Sequence, residues 1–331
     1  MNSFGNVFRV SLFGESHGNA IGVVIDGCPP GIPVSPDDFM SDLSRRQSGS
    51  RGTTNRREPD KPEILSGIFN GFTTGSPVTL ITRNSDRISS DYDDFRNVPR
   101  PGHADFVAGM KYSGFSDLRG SGHFSGRITW GYVAAGVIAK KIIKPSEIEA
   151  KLISARGDED IEKALEEAIA DNDTIGGIIE CRVHDPRKSL GEPFFYSVES
   201  AISHAVFSVP AIKGIEFGSG FSAALMRGSK HNDPFIETTG KTSTNNAGGI
   251  NGGITNGNEI IFRVAVKPTS STGVVQNTLD FSTGQMTELK VRGRHDTCIA
   301  LRMPVIIEAA SAVALADLMM TDRAIHGSRE P

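Results

Sequence analysis

The chain has 331 residues, a formal net charge of −4, 37% apolar residues and three cysteines. That length carries one large domain or two fused halves, and the slight acidity does not point to nucleic acid or an anionic membrane surface as a bulk partner. Cys28, Cys181 and Cys298 are odd in number and widely spaced, which excludes a disulfide framework or a cysteine metal motif and fits a reducing compartment.

The start MNSFGNVFRV lacks the basic start and long apolar run of a signal peptide, and no stretch reaches about 18 apolar residues. A cytoplasmic protein away from the membrane is expected. An apolar run over 7–13 leads into Gly14-Glu15-Ser16-His17-Gly18, and a second apolar run follows over 21–25. The five residues fit G-x-S-x-G, the nucleophile elbow of serine hydrolases. That elbow needs a helix after the turn. Gly18, Asn19, Gly22, Val23, Val24 and Ile25 favour strand or loop instead. Two readings remain, a Gly-rich turn bonded only to itself and a loop presenting Ser16 and His17 to a ligand.

Ser35-Pro36-Asp37-Asp38 predicts a helix start, with a cap, proline at the first position and acids in the first turn. Phe39, Met40 and Leu43 give that helix an apolar face, and it runs into Arg45-Arg46. Helices are further expected over 104–112, 128–143, 158–170, 197–208 and 303–320. Those over 128–143 and 303–320 are apolar nearly all round and read as buried. Strands are expected over 145–155, 174–183 and 259–266. The order lacks the regular alternation of a parallel α/β sheet. Two long buried helices, one per half, hint at an internal duplication. Glycine is in excess, with 37 residues, and clusters over 114–126, 214–220 and 248–257. That pattern reads as shaped loops suited to a cofactor held by backbone.

Arg45, Arg46, Arg51, Arg56 and Arg57 crowd into 13 residues. Guanidinium groups bind phosphate and carboxylate through paired donors. The run fits a solvated face, an RNA patch or a pocket for a multiply anionic small molecule. No aromatic lies within it, which disfavours RNA. Arg100, Arg119, Arg127 and Arg294 sit beside Gly or Pro, as ligand loops often do. His103 follows Pro101-Gly102 at a probable helix N-terminus, where an imidazole meets anions. Asp296, in Arg294-His295-Asp296, is either a helix N-cap or a catalytic carboxylate. The histidines form no metal motif, and no phosphate-binding loop of the nucleotide-binding folds occurs.

Nine segments together resemble the chorismate synthase family. They are FGESHG (13–18), DGCPPGIP (26–33), LSRRQSGSRGTTNRREPD (43–60), ILSGIFNGFTTGSPV (64–78), RPGHADF (100–106), GSGHFSGR (120–127), NNAGGINGGITNG (245–257), KPTSS (267–271) and GRHDTC (293–298). The resemblance implies a single catalytic domain over 1–331. It implies an α+β fold, a β-α-β sandwich with long helices between two antiparallel sheets, and a homotetramer. It implies a phospho-lyase of the shikimate pathway that converts 5-enolpyruvylshikimate 3-phosphate to chorismate and phosphate with reduced FMN. The reducing equivalents would come from NADPH or a separate flavin reductase. It further implies that Arg46, Arg51, Arg100, Arg127 and Arg294 hold the substrate. FMN would lie against His123, Phe124, Ser125, Gly252, Lys267, Pro268, Thr269, Ser270, Ser271 and Arg294. Many members read Arg-Ser-Ser-Ala-Arg where this chain has His123-Phe124-Ser125-Gly126-Arg127, so side-chain contacts at 123 and 124 do not transfer. For the reaction, His17 is expected to donate a proton to the leaving phosphate. His103 is expected to govern flavin protonation, Asp296 to assist proton removal at the flavin N5, and Ser16 to orient one of them.

Overall fold

The structure, a computed structural model, describes residues 2–86, 95–291, 293 and 295–327. The N-terminal half contains β1 (Ser3–Phe4), β2 (Arg9–Gly14), β3 (Ala20–Asp26), α1 (Pro36–Arg46), β4 (Glu63–Ser66), β5 (Ile68–Phe69), β6 (Phe72–Thr73), β7 (Val78–Arg83), α2 (Asp105–Lys111) and α3 (Thr129–Ile142). The C-terminal half contains β8 (Glu147–Ala155), α4 (Ile161–Ala170), β9 (Gly177–His184), α5 (Val198–Phe207), β10 (Ile212–Phe217) and α6 (Gly228–His231). It continues with β11 (Ile250–Asn251), β12 (Ile254–Thr255), β13 (Ile260–Val266), β14 (Gln276–Asp280), β15 (Gln285–Leu289) and α7 (Pro304–His326).

Each half builds one large antiparallel sheet and one long buried helix, and β5-β6, β11-β12 and β14-β15 form separate two-stranded ribbons. The first sheet has the order β1-β2-β3-β7-β4 and the second β10-β13-β9-β8. In β13 every second residue, Ile260, Phe262, Val264 and Val266, is buried, which is the period of a strand with one face on a core. Helix α3 packs on β2, β3 and β7, while α7 packs on β8 and β9 and against α3. The helices thus lie between the two sheets, as the resemblance implies. α7 is long and apolar enough to cross a bilayer, but here it is mostly buried within the protein. Small residues set the spacing of the central pair. A Cβ added to Gly136 would sit 2.4 Å from the Ala309 Cβ, so α3 and α7 meet backbone to backbone.

The predicted helix start is present. The Ser35 amide donates to Asp38 Oδ2 at 2.7 Å, Pro36 opens α1, and Phe39 and Leu43 bury its apolar face. One more turn delivers Arg46 into the interior.

Two buried carboxylates stitch the layers together. Glu308 on α7 accepts from Arg45 of α1 at 2.6 and 2.8 Å, from Lys140 of α3 at 2.8 Å and from the Ala150 amide of β8 at 3.1 Å. Burial alone would raise its pKa, but Arg45 and Lys140 outweigh this and hold it below the usual carboxylate range. Asp317, further along α7, accepts from the amides of Asn6, Val7 and Phe8 at 2.9, 2.8 and 3.0 Å. It thereby fixes the turn into β2. Asp317→Ala leaves three amides without their acceptor, that of Phe8 buried and the other two part-buried. The expected loss is about 3 kcal/mol, the scale of charge-assisted bonds left unmade, read as a lower urea midpoint with an unchanged slope.

Candidate active site

The Gly14–Gly18 loop joins two paired strands, so the helix of a hydrolase elbow is absent at this place. The sequence suggests an exposed loop, since glycines flank it. The structure differs. Ser16 is 0% and His17 5% exposed, because a segment a hundred residues later closes over them. The Ser16 amide donates to Gly122 O at 3.0 Å. A Cβ on Gly120 would lie 2.7 Å from Ser16 Oγ and 3.0 Å from His17 Nε2. Only glycine permits that approach. Arg56 grips the same loop, with Nη1 donating to Ser16 Oγ at 2.7 Å and Nη2 to Ser16 O at 3.1 Å. Glu58 steadies the guanidinium at 2.7 Å. Asn84 donates to Glu15 O and Gly18 O at 3.0 and 2.9 Å and accepts from Arg127 Nε at 3.0 Å.

Arg127 and Arg46 converge on one carboxylate. Asp60, 1% exposed, takes a short hydrogen bond from each. Trp130 Nε1 donates to the Asp60 carbonyl at 3.1 Å and anchors it on α3. Burial would raise the Asp60 pKa, but the two guanidinium groups win and lower it. Burial in turn pushes Arg46 down to about 10, against the pull of Asp60 and with Arg127 and Arg302 adding to the push. One anion cannot neutralise two cations, so a positive charge is left over. Arg127 Nη2 and Arg46 Nε are buried with no hydrogen-bond partner among the described residues.

Asp296 proves not to be a helix cap. The helix begins at Pro304, and Asp296 instead accepts from the Thr54 amide at 3.0 Å and from Arg302 Nη2 at 2.6 Å. It ties the middle of the arginine run to the approach to α7.

The turn before α2 forms a third cluster. Arg100 donates to both oxygens of Asp105 at 2.8 Å, to Ser271 Oγ at 3.0 Å, and stacks 4.3 Å above the Phe95 ring. His103 Nδ1 lies 2.7 Å from Asp105 Oδ1, and its Nε2 lies 3.1 Å from Ser121 Oγ. Lys267 Nζ donates to Gly102 O at 3.0 Å and to Ser270 Oγ at 2.8 Å. Burial lowers the Lys267 pKa, and Lys213 nearby adds to the shift.

These clusters line one cavity of about 1030 Å³. Of the residues expected from the sequence, Arg46, Arg100, Arg127, His103, Asp296, His123, Phe124, Ser125 and the run Lys267 to Ser271 face it. Ser16 and His17 lie just behind Gly120. Arg51 does not reach the lining and pairs at the surface with Glu166 at 3.0 Å. Gly252 sits in the turn between β11 and β12, away from the lining. Arg294 lies outside the described residues. His123 is engaged by the protein itself, with Nδ1 2.8 Å from Gly14 O and Nε2 3.2 Å from Asn2 Oδ1. Phe124 leans on Tyr112 at 6.3 Å. Sequence reasoning missed Glu58, Asp60, Asn84, Ser121 and Arg302. Arg56 stood in the noticed arginine run, but nothing local marks it as the residue that turns back to Ser16. Among the described lining residues, eight Lys and Arg face three carboxylates.

Asp60→Asn should cost about 3–5 kcal/mol at neutral pH, since two buried guanidinium groups lose their shared anion. The Asp60 pKa is depressed on folding, so its stabilisation is full above the usual value of 3.8 and is lost as pH falls through the folded value. Urea titrations should therefore show the gap between wild type and variant shrinking below about pH 4. Asp296→Asn keeps the acceptor for Thr54 but turns an amide NH2 toward Arg302. Thermal melting should register a loss of about 1–2 kcal/mol, which a simple cap replacement by Asn would not produce.

A sequence model described as chorismate synthase matches residues 8–320. A chorismate synthase of Chitinophaga pinensis is 58% identical over 324 residues, 98% of each chain. Another, of Dehalococcoides mccartyi, is 43% identical over 351 aligned positions, 96% of each. A solved structure described as a crystal structure of chorismate synthase superposes with a TM-score of 0.74 at 27% identity, over 96% of this chain and 93% of that one. The likeness runs from the Ser16-His17 loop through the arginine run to α7, and the chain belongs to the chorismate synthase family.

Proposed function

We propose that this cavity converts 5-enolpyruvylshikimate 3-phosphate to chorismate and phosphate by anti-1,4-elimination, with reduced FMN bound beside the substrate. As a family member the chain is a carbon–oxygen lyase of the shikimate pathway. The observation that carries the reading is the excess of buried guanidinium charge, with Arg127 Nη2 and Arg46 Nε lacking a partner among the described residues. A substrate with one phosphate and two carboxylates supplies the missing anions, and it leaves a neutral or apolar ligand poorly suited to the site.

The donor set also fits a flavin mononucleotide. Lys267, Thr269, Ser270, Ser125 and Gly126 line the same cavity as Arg46, Arg100 and Arg127. At about 1030 Å³ the cavity stands at the upper end of the range of single-ligand pockets. Reduced flavin, when bound, supplies transient electron density that eases cleavage of the C–O bond and takes it back afterwards.

The residues divide the remaining work. Arg46, Arg127 and Arg100 orient the anionic groups through fixed N–H donors. His17 holds a proton at its imidazole and gives it to the leaving phosphate, and Arg56 and Ser16 keep its loop in place. His103 handles a proton at Nε2, since Asp105 occupies Nδ1. Asp296 accepts a proton at a carboxylate oxygen, each oxygen having a lone pair beyond its present bond. Closure of Gly120–Gly122 over His17 excludes water. The reading carries with it a cytoplasmic homotetramer, with reduced flavin supplied through NADPH or a separate flavin reductase. Exposed aromatics such as Phe194, Phe195, Phe221 and Phe235 provide apolar surface for subunit contact.

Purified protein, dithionite-reduced FMN and substrate under anaerobic conditions should release phosphate without net oxidation of flavin. Stoichiometric flavin oxidation would replace the lyase by an oxidoreductase. His17→Ala and His103→Ala should each lose about tenfold or more in kcat, the lower end for a general acid or base. Turnover at the wild-type rate in both would remove them from the chemistry.

A further inference from the structure

Ser121 adopts φ +69° and ψ +9°, the left-handed region that glycine occupies freely and L side chains rarely do. Its neighbours Gly120 and Gly122, at φ +57° and +52°, are the residue type this stretch asks for. A side chain persists in such a conformation where the surroundings over-determine it, and such residues cluster at functional sites. The Ser121 side chain does not bond its own turn. Its hydroxyl lies 3.1 Å from His103 Nε2, with Arg100 Nη2 at 3.5 Å.

The other side of the imidazole settles which nitrogen that hydroxyl faces. Nδ1 lies 2.7 Å from Asp105 Oδ1. Burial would raise the Asp105 pKa, but the hydrogen bonds from Arg100 and His103 hold it far below the usual range. An ionised carboxylate only accepts, and at 2.7 Å it lies closer to Nδ1 than Arg100 Nη2 at 3.1 Å, a donor that Asp105 Oδ1 already engages at 2.8 Å, so the hydrogen is assigned to Nδ1. Nε2 is then the nitrogen that gains and loses a proton. A hydroxyl serves both states, donating to the bare nitrogen and accepting from N–H. Its bond to the imidazolium is charge-assisted and the stronger of the two. The charged groups about His103 are Arg100 and Asp105 on its own turn and Lys267, which reaches Gly102 O from the segment after β13.

We propose that Ser121 is a positioning residue, whose hydroxyl fixes the His103 ring and holds Nε2 as the atom through which its proton passes. The proposal rests on the reading of His103 as a proton-handling group. It explains why a strained serine stands where glycine would be comfortable.

Two variants of the full chain separate the hydroxyl from the backbone. Ser121→Gly removes the hydroxyl and relieves the strain, so Tm should stay or rise. Ser121→Ala removes the hydroxyl and keeps the strain, so Tm should fall. Both should lose about tenfold or more in kcat, with KM within about twofold, as misplacement of a reacting group does. Nitrogen-15 NMR of the ligand-free chain should show the His103 ring losing its single fixed tautomer in both. A glycine variant as active as wild type, with activity following Tm, would reduce Ser121 to an ordinary loop residue. An unchanged His103 nitrogen-15 spectrum in both variants, with His103→Ala inactive, would overturn the Ser121 proposal alone. Wild-type turnover in His103→Ala would overturn the role of His103 and the catalytic consequence of Ser121 with it, leaving the ligand-free spectrum to report the contact itself.

Discussion

A buried guanidinium group needs an anion, and here two of them share one. Asp60 sits between Arg46 and Arg127, which arrive from α1 and from the start of α3. Asp60 satisfies enough of their charge to let both stay folded inside the protein. It leaves enough unsatisfied to make the cavity a trap for anions. A second carboxylate would stabilise the ligand-free fold and weaken the site. The rest of the wall is built around that balance. Asn84 holds Arg127 from the far side, Glu58 holds Arg56, and Asp105 holds Arg100. Each cation is oriented by a fixed partner, so ligand binding need not order long side chains first.

The elements were largely readable from sequence. Patterning alone located α1 with its cap, the buried α3 and α7, and the strands β8, β9 and β13, with ends shifted by a few residues. Strand after the Gly14–Gly18 loop followed from β-branched residues and argued correctly against the hydrolase elbow. The site was legible where a residue's type carries its chemistry, as with Arg46, Arg100, Arg127 and His103.

It was not legible where the meaning comes from distant chain. Nothing near Ser16 and His17 says that Gly120–Gly122 will cover them, so they read as exposed. Asp296 precedes a helical pattern and looks like a cap, yet its partners are Thr54, far back in the chain, and Arg302, beyond the expected cap position. Asp60 follows a proline in a charged run and resembles a surface acid until two arginines are folded onto it. Arg51 belongs to the same run, but the chain carries it outward to Glu166. A one-dimensional cluster thus separates into an inner wall and an outer face.

The Asp317 nest bears on the order of assembly. The turn that launches β2, and through it the Ser16-His17 loop, hangs on a carboxylate more than 300 residues later. A ribosome releases the first strands long before it makes that anchor. Until α7 emerges, β2 and β3 lack both their pinning carboxylate and the helix pair that covers the core. The first sheet can gain α3 by mid-chain, but its entry turn waits unpinned for nearly the whole polypeptide, a long-range closure that slows folding and lengthens the time during which strand edges are open to other chains.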